Sequence, residues 1–152
     1  MLRYIFFPIT RAACLCLLWS SSLPKVLHKI MPRSIAQPLV LCVEDETTAL
    51  SIRKKVLQQA GYKVIGVTSA GAAMQVLQEF PVCATIADHM LHGTTGTELA
   101  KKMKKLKPDV PIILFSGSLP ERLDAVDVYI SKGEPTAEFL RIVRAVVERA
   151  CS

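Results

Sequence analysis

From Leu39 onward the apolar residues of this chain switch, again and again, between short unbroken runs and a spacing of three to four. An unbroken run of four to six apolar residues suits a strand covered on both faces. An amphipathic stretch between two such runs suits a helix lying against the sheet they form. Five repeats of that alternation predict an α/β domain built on a parallel sheet.

Strands are expected at 39–43, 62–67, 82–87, 112–115 and 126–130. The first helix, 46–60, presents Ala49, Leu50, Ile52, Val56 and Leu57 on one face, and Gly61 follows where a helix end commonly needs a left-handed residue. Ser69 suits the N-cap of a second helix carrying Ala73, Val76, Leu77 and Phe80 inward, with Pro81 as its stop. Residues 89–95 read as a loop, 96–106 as a third helix and 138–149 as a last one with Phe139, Ile142, Val143, Val146 and Val147 inward; 119–125 holds little more than one helical turn. The expected last helix is followed by a short tail ending in Cys151 and Ser152, and no output domain is expected.

The 152 residues are 51% hydrophobic and 21% charged, enough for one domain with a full core. Arg3, Arg11, Lys25, Lys29 and Arg33 all precede Pro38, in a stretch without Asp or Glu, and account for all but one unit of the net charge of +6. The domain itself is therefore near neutral, and no nucleic-acid surface is indicated.

Residues 1–37 read as an apolar and basic extension outside the fold, with 38–152 as the domain. Pro8, Thr10 and Arg11 interrupt the apolar run, and its clean part, 12–19, falls short of the roughly 20 residues that span a bilayer. Three readings stay open: translation starting at Met31, a membrane-associating tail, or a signal-like segment with Trp19 and Leu23 spoiling its cleavage site. Cys14, Cys16, Cys42, Cys83 and Cys151 include no Cys-x-x-Cys motif. Cys42 and Cys83 lie in expected strands, where a reduced thiol acts as a small hydrophobe, and a cytoplasmic protein is the simpler reading.

In an open parallel sheet, ligands bind beyond the carboxyl ends of the strands. The residues there are Glu44 and Asp45, then Asp88, Ser116 and Lys132: three carboxylates, a hydroxyl and an ammonium on one rim. Clustered carboxylates repel unless a cation lies between them, and a hard ion such as Mg²⁺ prefers oxygen ligands.

Val43-Glu44-Asp45-Glu46, Asp88 with Gly96 eight residues on, Phe115-Ser116-Gly117 and Ser131-Lys132 together resemble the motifs of bacterial two-component response regulator receiver domains, over Pro38 to the C-terminus. The resemblance implies a flavodoxin-like, doubly wound five-stranded parallel sheet of order 2-1-3-4-5 with helices on both faces. It implies a single-domain, chemotaxis-regulator-like protein of phosphorelay signalling, in which Asp88 accepts a phosphoryl group from a histidine kinase or phosphotransfer protein. Asp45 and Asp88 are then the direct Mg²⁺ ligands, Glu44 acts through water and the backbone carbonyl of Met90 completes the set. Lys132 assists the transfer, Ser116 and Tyr129 carry the switch, and an unknown downstream protein receives the signal. The chain assists its own Mg²⁺-dependent phosphorylation and dephosphorylation and is otherwise no enzyme.

Leu91-His92 replaces the family's Met-Pro, Lys132-Gly133 its Lys-Pro, and the stretch from Ser116 to Lys132 is short, so the fourth helix should be stunted. His89 and His92 are expected to face solvent, and Lys101, Lys102, Lys104, Lys105 and Lys107 to form a solvated helix face. The alternative functions are an unphosphorylated receiver-like docking adaptor and, without a covering lid, a small-molecule phosphotransferase or phosphatase.

Overall fold

The structure, a computed structural model, describes residues 37–151, so the readings of the N-terminal extension lie outside the described residues. Five parallel strands form one sheet: β1 (Leu39–Val43), β2 (Lys63–Val67), β3 (Ala84–Ala87), β6 (Ile112–Ser116) and β7 (Val128–Ser131), in the spatial order β2-β1-β3-β6-β7. Counted within the sheet, this is the expected order 2-1-3-4-5. Helices α1 (Thr47–Gln59), α2 (Ala70–Glu79) and α3 (Gly96–Leu106) fill the first three crossovers, and α4 (Thr136–Ala150) follows the last strand.

Side chains on a strand alternate between faces, and β1 feeds a separate core on each side. Val40 and Cys42 join Leu50 and Leu57 of α1 and Phe139, Val143 and Val147 of α4. Leu41 and Val43 join Ala73 and Leu77 of α2 and Leu99 and Met103 of α3. Each fully buried Leu or Val contributes about 1.5–3 kcal/mol by leaving water, and these paired cores hold all four helices to the sheet.

The helix ends follow their sequence signals. The Ser69 hydroxyl accepts the N–H of Ala72, and Thr95 and Glu98 make a reciprocal capping box at the start of α3. Gly61, with φ 95°, takes the left-handed conformation after α1. The faces are more selective than expected. On α1 the buried residues are Leu50, Arg53 and Leu57, while Ile52 is exposed; on α2 Phe80 is exposed, and on α4 Ile142 is partly buried.

Four local features differ from the sequence reading. Residues 89–95 contain a hairpin, β4 (Met90–Leu91) against β5 (Thr94–Thr95), turning through Gly93 at φ 79°. The stunted fourth helix is absent, since residues 117–127 form only bends and a turn. Pro120 biases Leu119 away from helical backbone, and two acids of the segment are tied to α3 instead, Asp124 to Lys101 at 3.6 Å and Asp127 to Lys104 at 2.7 Å. The lysines of α3 are therefore a clasp as well as a solvated face; Lys107 also donates to the carbonyl of Phe80.

Cys83 precedes β3 rather than lying in it, and it is disulfide-bonded to Cys151 after α4, which corrects the expectation of a reduced thiol. The pairing joins residues 68 apart, brought together when α4 packs back across the sheet. Cys42 remains a free, buried thiol that burial pushes up to about 12, so it stays protonated.

Reducing the bridge, or replacing Cys151 by Ser, should lower the unfolding free energy by about 2–4 kcal/mol for a closed loop of this length, read as a lower urea midpoint. Gly96 allows α3 to start against the backbone of Asp88: a methyl there would overlap the Asp88 carbonyl oxygen and lie 2.7 Å from Leu114 Cδ1. Gly96→Ala should cost about 1–3 kcal/mol, measured by the same unfolding curves.

Candidate functional site

The hydrogen-bond ladders of the sheet continue one residue beyond the strands and set the site side by side. The N–H of Glu44 donates to the carbonyl of Val67, that of Asp88 to Val43 at 2.9 Å, and that of Lys132 to Ser116 at 2.8 Å. Parallel register places Val43 opposite Ala87 and Ser116 opposite Ser131, so Glu44 and Asp88 emerge next to each other and Lys132 emerges beside Ser116. The rim is thus a direct consequence of strand pairing.

Glu44, Asp45 and Asp88 each offer a carboxylate oxygen within 4.8 Å of the others. Glu44 and Asp88 are buried, and Asp45 is half-buried. The ammonium of Lys132 bridges the two buried acids, donating to Asp88 Oδ2 at 2.8 Å and to Glu44 Oε2 at 3.3 Å. Asp88 Oδ1 accepts the N–H of His89 at 2.7 Å.

The two buried carboxyls shift in opposite directions. Burial raises Glu44, and its hydrogen bond with Asp88 adds to the rise against the opposing pull of Arg53. For Asp88 burial acts upward too, but Lys132, Glu44 and the His89 N–H outweigh it and hold the group below its ordinary value. Asp88 is therefore the acid of the pair that stays ionised.

Ser116 is buried, with its hydroxyl accepting the N–H of Ser118 at 3.4 Å. Tyr129 is partly buried on β7 and its hydroxyl donates to the carbonyl of Ser116, also at 3.4 Å. Met90, two residues after Asp88, opens the β4–β5 hairpin with its side chain exposed. His92 is exposed as expected, yet its Nδ1 lies 2.6 Å from Asp45 Oδ2; the Nδ1 of His89 is buried without a partner.

One residue of the site went unread in the sequence. Arg53 of α1 reaches the rim from below, its Nη2 donating to Glu44 Oε2 at 2.7 Å, and its guanidinium lies 4.6 Å from the centre of the Phe115 ring. The signal was available: Leu50, Arg53 and Leu57 follow the three-to-four spacing of a buried stripe.

The donor set among the three acids is oxygen only, which fits a hard divalent cation better than a soft one. Without a cation the three acids repel one another, and Asp45 is the least compensated. Asp45→Asn should therefore raise the melting temperature of the cation-free protein by about 4 °C, corresponding to about 1 kcal/mol of relieved repulsion, in thermal unfolding with chelator present.

Residues 40–139 match the family model for the response regulator receiver domain. Over 114 residues the chain is 31% identical to the uncharacterized transcriptional regulatory protein YbdJ of Bacillus subtilis, covering 72% of this chain and 50% of that one. It is 29% identical to the phosphate regulon transcriptional regulatory protein PhoB of Pseudomonas aeruginosa, covering 72% of this chain and 52% of that one. The chain thus spans about half the length of these curated relatives. Among solved structures, the receiver domain protein of Methanospirillum hungatei superposes with a TM-score of 0.70 at 24% identity, over 75% of this chain and 96% of that one. The response regulator TrrA of Thermotoga maritima, solved with Mg²⁺ and BeF, gives 0.68 at 26% identity, over 72% of this chain and 99% of that one. Receiver domains serve phosphorelay signalling, interact with histidine kinases or phosphotransfer proteins and bind Mg²⁺ in an acidic pocket. With its sheet order, its acidic rim and a family match over most of its described length, this chain belongs to the response regulator receiver domain family.

Proposed function

We propose that residues 38–152 act as a phosphoacceptor switch, in which Asp88 takes a phosphoryl group from the phosphohistidine of a kinase or phosphotransfer protein and thereby changes the binding of a further protein. The observation that carries this reading is the Lys132 ammonium 2.8 Å from Asp88, at a strand-end rim where the carboxylate stays ionised despite burial.

An Asp88 carboxylate oxygen forms the new O–P bond as the donor's N–P bond breaks, and the electron pair returns to the imidazole of the donor. Lys132, already beside Asp88, is in reach of the negative oxygens of the incoming group and neutralises part of their charge. Asp45 and Asp88 would hold Mg²⁺ directly, with the Met90 carbonyl and a water on Glu44 completing the protein's share. When bound, the ion supplies further neutralisation of the phosphoryl charge. Ser116 then turns its hydroxyl from the Ser118 N–H toward the new phosphate. Tyr129, bonded to the carbonyl of that same serine, changes its packing in response, so two conformers exchange population.

No helix among the described residues is long and apolar enough to cross a membrane. We place the protein in the cytoplasm, where histidine kinases present their phosphoryl groups; the reducing conditions there oppose the Cys83–Cys151 bridge.

Incubation with acetyl phosphate and Mg²⁺ should add one phosphoryl group per chain by mass spectrometry. Retention of that label in Asp88→Asn would exclude Asp88 as the acceptor, and no label under any condition would favour the docking adaptor. Lys132→Met should slow labelling roughly a hundredfold, as expected for loss of one aligned charge at the reacting group.

A further inference from the structure

Arg53 places a cation where α1 has room for an apolar side chain. It sits on the buried stripe between Leu50 and Leu57 and is 6% exposed. Of its guanidinium nitrogens, Nη2 bonds to Glu44, while Nε and Nη1 are buried without a hydrogen-bond partner. Unmet buried donors cost free energy, and a buried ion pair is commonly no more stable than a well-packed apolar replacement. Packing against Phe115 would be served as well by methionine or leucine. What those residues would not supply is a positive charge fixed on one of the three acids of the rim.

That charge changes the pocket. With every group ionised, Glu44, Asp45 and Asp88 face two cations, Lys132 and Arg53. Lys132 is about one-third exposed, whereas Arg53 is buried, paired with Glu44 at 2.7 Å and packed over Phe115. Both contact the same Glu44 oxygen, Oε2.

We propose that Arg53 is a positioning residue that competes with the divalent cation: the positive charge it fixes against the rim lowers the affinity of the pocket for Mg²⁺, so the site fills only at higher Mg²⁺ than the same pocket without Arg53. This rests on the reading of the rim as a Mg²⁺ site, and it adds a built-in threshold to that site. The threshold follows from charge alone, since an arginine beside one ligand repels a divalent ion beside the others.

The test is calorimetric titration of Mg²⁺ into the metal-free full chain and its variants. Arg53→Met should tighten Mg²⁺ binding at least about tenfold, a change of the size expected for removing one charge from a partly buried site. Arg53→Lys, which keeps the charge, should stay within about threefold of the parent. A side chain that only packs would, on removal, loosen the pocket, so unchanged or weaker binding in Arg53→Met overturns the proposal. Because Arg53→Met leaves the buried Glu44 with only the longer Lys132 contact at 3.3 Å, the comparison is repeated between Glu44→Gln and Glu44→Gln/Arg53→Met, where no such carboxylate remains. The double variant should bind more tightly than Glu44→Gln, and equal affinities there also overturn the proposal. If neither the parent nor any variant binds Mg²⁺, the metal-site reading fails and the proposal fails with it, an outcome distinct from a parent that binds and an Arg53→Met that does not differ.

Discussion

Three carboxylates from two strand ends, with oxygens inside 4.8 Å of one another, set a charge problem that the surrounding structure has to meet. Two of them are buried, where isolated ionised acids are most costly. The parallel register that builds the sheet also forces this crowding, because Glu44 and Asp88 follow paired residues. Shifting the backbone of Glu44 or Asp88 to relax the repulsion would give up a ladder hydrogen bond.

The compensation arrives from the opposite ends of the chain. Lys132 comes from the last strand, 88 residues after Glu44, and Arg53 from the first helix, nine residues after it. The fixed dipoles of the backbone add the His89 N–H on Asp88. The two buried acids then differ: burial raises Glu44, while Lys132 and the other hydrogen-bond partners of Asp88 outweigh burial there and hold it below its ordinary value.

What could be read in the sequence was whatever local chemistry fixes. β1 and α3 fall on the expected residues, β1 because a five-residue apolar run ends abruptly in acids, α3 because Thr95 and Glu98 form a capping box and Lys107-Pro108 ends it. The strand-end rule brought Glu44, Asp88, Ser116 and Lys132 to one rim, and the ladders carry them there. Arg53 escaped because a helical stripe is scored by its apolar members, and an arginine within it reads as surface until its partner is known. The Cys83–Cys151 pairing depends on how α4 returns across the sheet, which no local signal states. The hairpin at Met90 and the missing helix at 117–127 are loops whose shape is set by Gly93, Pro120 and ion pairs to α3 rather than by periodicity.

The bridge from Cys83 to Cys151 lies at the end of β3 opposite Asp88, a strand length of roughly 16 Å away. While that bridge is formed, β3 is tied at its amino-terminal end to the end of α4 and has unequal freedom along its length. Opening fluctuations that begin at the tied edge must work against a covalent link, so the cheaper ones belong to the other edge, where loops rather than helices close the surface between β6 and β7. The fold is in this sense a hinged fan with its rivet placed away from the chemistry, and amide exchange across β3 should therefore grade from slow to fast toward the acidic rim.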